Sequence, residues 1–200
     1  MNSETAIVIL AAGQSSRLGQ PKQLLPFKGK SLLLHIIQTA KKVSDQVFVV
    51  IGADSARIQS NIKNSDVKIV INEEWEEGMA SSIRRGLAVL KTEIPDLKSV
   101  IFMVCDQPFV TSDLLENLIR EKDLSGKNIV ASSYSEISGT PVLFDESIFS
   151  ELMELKGDIG ARKIIVKSKD RLATIDFPLG SVDMDTAEDY KKLMAQKDLM

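Results

Sequence analysis

An open α/β sheet covered by helices on both faces is the fold class that this sequence predicts, and three observations predict it. Five short runs, residues 6–10, 47–51, 67–71, 100–104 and 129–131, are apolar and rich in β-branched side chains, with Lys68 the one charged residue among them. Continuous apolarity, rather than alternation, marks strands buried on both faces of a parallel sheet. Segments with apolar residues at helical spacing fall between these runs, which implies right-handed crossovers. The 200 residues contain no repeat, low-complexity tract or Pro/Gly/Ser-rich linker, so a single domain over 1–200 is expected. In an open sheet of this kind ligands bind beyond the carboxyl ends of the strands.

Taken in order, the strand over 6–10 is followed by Ser31, a plausible N-cap, and a helix carrying Leu32, Leu33, Ile36, Ile37 and Ala40. After the strands over 47–51 and 67–71, Ser81 and Ser82 are expected to open a helix through Ile83, Leu87 and Leu90. The strand over 100–104 leads to Thr111 or Ser112 as the cap of a helix through Leu114, Leu115, Leu118 and Ile119. Beyond residue 130 the alternation loosens. Extra strands are expected over 140–144 and 171–175, short helices around 148–155 and 161–167, and a terminal helix from Asp185 or Thr186 through Leu193.

Composition narrows the function. Lys+Arg 25 against Asp+Glu 28 gives a net charge of −3 with no basic tract, so nucleic acid is not an expected partner. A single Cys and a single His, Cys105 and His35, cannot assemble a zinc site, and any metal should be hard and oxygen-bound. His35 reads as a packed helix residue and Cys105 as a buried small hydrophobe. The first residues lack a basic start and a small-residue cleavage site, and no apolar stretch is long enough to span a bilayer. A cytoplasmic location and no membrane association are the expectations. Trp75 sits among Glu73, Glu74, Glu76 and Glu77, which reads as a solvated loop.

The chemistry is expected at two strand ends. The first strand runs into Leu10-Ala11-Ala12-Gly13-Gln14-Ser15-Ser16-Arg17-Leu18-Gly19-Gln20-Pro21-Lys22. Gly13 and Gly19 let backbone N–H groups approach an anion, and Arg17 and Lys22 add positive charge, a composition that suits a triphosphate. It is not a P-loop, since Gly29-Lys30-Ser31 lacks the glycine required at position 24. Nor is it a dinucleotide fingerprint, since positions 13, 15 and 18 read Gly, Ser and Leu. The fourth strand ends in Cys105-Asp106-Gln107-Pro108, where a carboxylate can anchor Mg²⁺ bridging to phosphates. Asp185 offers a second carboxylate before the last helix, although N-capping would also explain it.

These residues resemble the molybdenum cofactor cytidylyltransferases within the MobA-like nucleotidyltransferases. The resemblance is carried by Leu10 to Leu25, by Gly78-Met79-x-x-Ser82-Ile83-x-x-Gly86-Leu87, and by Asp106-Gln107-Pro108. Gly157-Asp158-x-Gly160-Ala161-Arg162 and Asp185-Thr186-x-x-Asp189 extend it over nearly the whole chain. It implies a single-domain, Rossmann-like three-layer α/β/α sandwich with a mostly parallel sheet. It further implies transfer of CMP from CTP to the terminal phosphate of molybdopterin or the molybdenum cofactor, with release of pyrophosphate. By the same resemblance, Leu10, Ala11, Ala12, Gly13, Ser15, Arg17, Lys22, Gly78, Met79, Ser82 and Asp106 would bind the nucleotide. Arg17, Lys22 and Asp106 would be catalytic, and Asp106 and Asp185 would hold Mg²⁺, or Mn²⁺ in its place. Gly139, Thr140, Pro141, Gly157, Asp158, Gly160 and Arg162 would line the acceptor side. Thr140 departs from the His or Asn that the family often carries there. A molybdenum hydroxylase or its chaperone is the implied protein partner. Alternatives are a guanylyltransferase or sugar-phosphate nucleotidyltransferase of the same fold, or a non-catalytic nucleotide-binding accessory protein.

Overall fold

The apolar runs become the centre of one sheet. A computed structural model of the chain describes residues 4–15, 19–182, 188 and 190. Its strands are β1 (Thr5–Ala11), β2 (Pro26–Phe27), β3 (Lys30–Ser31), β4 (Val47–Ile51), β5 (Lys68–Ile71), β6 (Ser99–Val104), β7 (Ile129–Tyr134), β8 (Ile137–Asp145) and β9 (Leu172–Asp176). Its helices are α1 (Leu32–Lys41), α2 (Ser55–Ile62), α3 (Met79–Glu93), α4 (Ser112–Ser125), α5 (Phe149–Met153) and α6 (Arg162–Lys167). Seven of the described strands form a sheet in the order β5-β4-β1-β6-β8-β7-β9. Every neighbouring pair is parallel except the two that involve β8.

Side chains alternate along β1 between two cores, which makes the sheet the middle of three layers. Ala6, Val8 and Leu10 pack with α3, α5 and α6, while Ile7, Ile9 and Ala11 pack with α1, α2 and α4. Helix α3 lies close enough to the sheet that a Cβ on Gly86 would stand 3.1 Å from methyls of both Val8 and Val50.

The strand order positions the site. From β1 the chain moves outward to β4 and β5, then crosses back to β6 on the other flank of β1. The loops leaving β1 and β6 therefore diverge, and a crevice opens at the carboxyl ends of these two strands, where Leu10 pairs with Val104. Strand β8 runs against β6, with Ser99 opposite Asp145 and Phe102 opposite Val142. The beginning of β8 consequently reaches the same end of the sheet as the termini of β1 and β6.

Most helix starts follow the sequence. Ser31 Oγ accepts the N–H of Leu34 at 3.2 Å and Thr111 Oγ1 that of Leu114 at 3.1 Å, satisfying first-turn donors. Helix α3 is different. It begins three residues before the expected serines, from Gly78 at φ 115°, so Ser81 and Ser82 lie inside its first turn and cap nothing. Helix α2 carries only Ile58 and Ile62 as buried apolar residues, too few to declare a period, and the sequence pattern names no helix there. Gly29-Lys30-Ser31 resolves into a β2–β3 hairpin, with Lys28 and Gly29 at positive φ, followed by the α1 cap. The terminal helix expected from Asp185 or Thr186 lies outside the described residues. Among those described, no helix is long and apolar enough to cross a membrane.

Candidate functional site

The loop after β1 is held open by a glutamine. Gln23, 1 % exposed, donates from Nε2 to the carbonyls of Ala11 at 2.9 Å and Gly13 at 3.1 Å. Because a trans peptide points its N–H opposite its C=O, the N–H groups of Ala12 and Gln14 are turned away from Gln23. The carbonyl of Ala12 is taken by the N–H of Ala53 at 3.0 Å, which ties the loop to the end of β4. Ser15 Oγ accepts the backbone N–H of Lys22 at 2.8 Å, closing the far end of the loop just as a single 3-10 turn begins at Lys22. Ser15 therefore positions Lys22 and is not on the wall of the cleft. Arg17 lies outside the described residues.

From this turn Lys22 reaches across to β6. Its Nζ stands 2.5 Å from Asp106 Oδ2, the two side chains being 19 % and 17 % exposed. Their partial burial lifts the pair above the usual negligible worth of a surface ion pair. Lys22 bonds Asp106 through Oδ2, and among the described residues Asp106 Oδ1 has no hydrogen-bond partner. The turn that carries Asp106 is braced from three sides. Gln107 donates to the carbonyl of Gly180 at 2.8 Å and accepts from the hydroxyl of Thr140 at 3.1 Å, while His35 Nε2 meets the carbonyl of Pro108 at 3.0 Å. Burial lowers the His35 pKa, so the neutral ring donates this bond. Cys105, beside Asp106, is buried and its thiol is pushed up to about 12, first by burial and then by the Asp106 charge. It is protonated at neutral pH and supplies no nucleophile.

Two adjacent chambers open at this end of the sheet, sharing Leu10, Met79 and Val104 as a common wall. The first, about 360 Å³, is bounded by Leu10, Ala11, Ala12, Gly13 and Lys22 on the β1 side and by Asp106 on the β6 side. Gly78, Met79 and Ser82 from the start of α3 close it. Every predicted nucleotide residue among those described, apart from Ser15, is thus brought together. The second chamber, about 230 Å³, is lined by apolar side chains such as Ile83, Phe102, Val142 and Ile165, with Tyr134, Ser138, Thr140 and Arg162 as its polar groups.

The residues expected on the acceptor side divide. Gly139, Thr140 and Arg162 line the second chamber, but Asp158 lines the first. Pro141 is buried within β8, its carbonyl accepting the Ser132 hydroxyl at 2.8 Å, and lies on neither wall. Gly157 and Gly160 are also off both walls. The carbonyl of Gly157 accepts the N–H of Ala80 at 3.0 Å, and a Cβ on Gly160 would meet Met79 Sδ at 2.6 Å, so these glycines dock their loop against the start of α3. Asp185 lies outside the described residues, and of the expected carboxylate pair the structure describes Asp106.

Three contributors were not singled out by the sequence reading. Gln23 holds the β1 loop, Asn72 bonds Ser81 and Ser82, and Trp75 lines the first chamber instead of floating in a solvated loop. Trp75 packs so closely over Gly52 that a Cβ there would lie 2.5 Å from the Trp75 Cβ. Its acidic neighbours Glu73, Glu74, Glu76 and Glu77 are exposed, but Glu76 also lines the first chamber, which the solvated-loop reading did not expect. The signal for Trp75 was its rank as the sole tryptophan, three residues before the Gly78 block.

Residues 7–172 match the MobA-like NTP transferase domain family. The chain belongs to that family. Nicotine blue oxidoreductase of Paenarthrobacter nicotinovorans is 28% identical, over 94% of this chain and 95% of its own. Purine catabolism protein PucB of Bacillus subtilis is 27% identical, with 92% of both chains covered. The molybdenum cofactor cytidylyltransferase of Escherichia coli is 22% identical, again over 92% of both. Their names describe different activities at similar distances, so the relatives share the family and do not select an acceptor. Among solved structures, the Rv0371c homologue from Mycobacterium sp. strain JC1 superposes with a TM-score of 0.85 at 29% identity, over 98% of both chains. Rv0371c of Mycobacterium tuberculosis, in complex with manganese, superposes at 0.79 with 27% identity, over 96% of this chain and 99% of that one.

Proposed function

We propose that this MobA-like family member is a CTP-dependent nucleotidyltransferase acting on a phosphorylated pterin acceptor, molybdopterin or the molybdenum cofactor. The observation that carries the reading is the Lys22–Asp106 pair, set between the glycine-bearing turn after β1 and a second, largely aliphatic chamber. The first chamber would hold the triphosphate against the N–H groups and Lys22, with Arg17 as a further cation from the same loop. The second would hold the body of the acceptor. Largely apolar walls suit a flat ring better than a polyhydroxylated sugar, most of whose hydroxyls would lose water against Ile83, Val142 and Ile165.

A divalent cation fits the residues present. Among the described residues no three potential ligands from His, Cys, Asp and Glu cluster, but Mg²⁺ needs only one or two carboxylates when phosphates and water complete its shell. Asp106, with Oδ1 unengaged, and Asp185 are the residues proposed to hold it. When bound, the ion would neutralise charge on the phosphates. In the reaction itself, an oxygen of the acceptor phosphate forms a bond to the α-phosphorus of CTP as the bond to the departing pyrophosphate breaks. The nucleophile is already ionised, so no general base is required, in keeping with the inert Cys105 and with a His35 ring engaged by the carbonyl of Pro108. Lys22 offsets charge that accumulates on the phosphates, and the braced Asp106 turn keeps the groups aligned.

Pyrophosphate release across the four nucleoside triphosphates, with and without molybdopterin, tests the reading. Turnover with CTP and molybdopterin is expected. A preference for GTP overturns the choice of base, and turnover only with a sugar phosphate overturns the acceptor. Tight CTP·Mg²⁺ binding with no pyrophosphate from any acceptor replaces the enzyme by a nucleotide-binding accessory protein.

A further inference from the structure

Asn72 follows β5 and is 3 % exposed, with its backbone N–H donating to the carbonyl of Ile51 at 2.8 Å. Its side-chain polarity is fixed by the main chain. Oδ1 accepts the N–H of Glu74 at 3.1 Å, and an N–H can only donate, so Nδ2 is the atom turned toward α3. There it donates to Ser81 Oγ at 2.8 Å and Ser82 Oγ at 3.0 Å. Both serine oxygens are therefore acceptors toward Asn72, and each hydroxyl proton must point elsewhere. That of Ser81 goes to the carbonyl of Gly78 at 2.8 Å. Among the described residues nothing accepts the proton of Ser82, and Ser82 lines the first chamber together with Ala11, Ala12 and Gly13.

We propose that Asn72 is a positioning residue that holds the Ser82 hydroxyl as a hydrogen-bond donor to an acceptor atom of the nucleobase. The proposal rests on the nucleotide reading above. Asn72 touches no ligand itself; it removes the choice a serine hydroxyl otherwise has between giving and accepting. Asn72→Asp is the informative substitution. It keeps the size of the side chain and the bond from Glu74, but its second carboxylate oxygen can only accept, so Ser82 must turn its proton back toward residue 72.

Calorimetric binding of CTP and of inorganic tripolyphosphate, at mildly alkaline pH with Mg²⁺, separates this role from a structural one. The proteins are wild type, Asn72→Asp, Ser82→Ala and the double variant. Each single variant is expected to weaken CTP by about tenfold while tripolyphosphate, which has no base, changes by less than about twofold. In the Ser82→Ala background the Asn72→Asp change should add less than about twofold, because the group it reorients is gone. If Asn72→Asp does not fold, Asn72→Ala leaves the hydroxyl free to rotate and should cost CTP about threefold, again sparing tripolyphosphate. Equal weakening of both ligands, or fully additive effects in the double variant, overturns the proposal. So does a wild type that binds CTP no more tightly than tripolyphosphate. A wild type that binds neither overturns the nucleotide reading as well.

Discussion

Two glycine-bearing turns border the first chamber, and glycine serves a different purpose in each. A Cβ placed on Gly13, in the turn after β1, would meet nothing within 4 Å among the described residues. On Gly78, before α3, the same Cβ would fall 2.0 Å from Asp158 Oδ1 and 2.9 Å from its Cα, at a φ of 115° that side chains rarely adopt. One turn is empty on the side where a ligand would lie, and the other is filled by its own protein. The β1 side is therefore built for approach, with a glutamine pulling carbonyls aside and a lysine reaching to Asp106. The α3 side is built as a wall, in which Gly78, Glu77, Arg84 and the Gly157–Asp158 loop lock together. Substitutions on the first side should change chemistry or binding at little cost in stability, and those on the second should do the reverse.

The largest effect is expected on the open side. Asp106→Ala should lower kcat, read as pyrophosphate release, by about 10³-fold, because charge growing in the transition state loses its anchor, while the Kd for CTP changes far less. Its melting temperature should stay near that of the wild type, since the side chain is on the cleft wall. Near-normal turnover would remove Asp106 from the reaction. On the packed side, Gly78→Ala should destabilise by about 3 kcal/mol, from a disallowed φ and contact with the Asp158 backbone. For a chain of this size that is a Tm lower by roughly 6–12 °C in a thermal melt. An unchanged Tm would mean that the wall can yield and that the contrast between the turns is wrong.

The sequence made one half of this contrast readable and hid the other. Buried strands announce themselves by composition, so β1, β4 and β6 were legible, and with them the crevice and Asp106. The loop composition around Gly13 pointed to a glycine kept for backbone access, and no described atom lies within 4 Å of where its Cβ would stand. Gly78, Gly157 and Gly160 were drawn in by motif alone, and a motif does not say whether a glycine admits a ligand or a neighbouring backbone. A Cβ on Gly160 would meet Met79, whereas Gly157 is tied in through its backbone, to Ala80 and Glu77. Likewise Ser81 and Ser82 looked like caps because serine before an apolar period is the usual signal. Their oxygens instead accept from Asn72, with Ser81 donating onward to the carbonyl of Gly78, and no periodicity encodes a hydrogen bond between a strand end and a helix nine or ten residues later.

A subtler test of the open turn follows from its emptiness. Gly13→Ala should fold with a Tm within about 2 °C of the wild type, since the added methyl meets no atom of the described residues. The methyl would stand where a triphosphate backs onto the loop, and the Kd for CTP should rise about tenfold. Loss of stability without loss of affinity would assign Gly13 to packing and make the two turns alike.

The smallest effect concerns how the packed wall is charged. Arg84 donates to Glu77 through both guanidinium nitrogens, at 2.9 and 2.6 Å, and the N–H of Gly157 adds a third bond at 3.3 Å. These bonds, the Arg84 pair foremost, hold the Glu77 carboxyl at about 2 against an ordinary value of 4.5. A carboxylate whose pKa is lower folded than unfolded favours folding while ionised. Its contribution is complete above about pH 4.5 and is lost as the pH falls through 2. Wild type should therefore melt slightly above Glu77→Gln at neutral pH, with the gap closing between pH 4.5 and 2. The difference between the two proteins cancels the other acidic groups, so the pH at which it closes reports Glu77 itself. A gap that persists to pH 2 would show that residue 77 acts through its shape, and the wall would then be held by the glycine contacts without the charge.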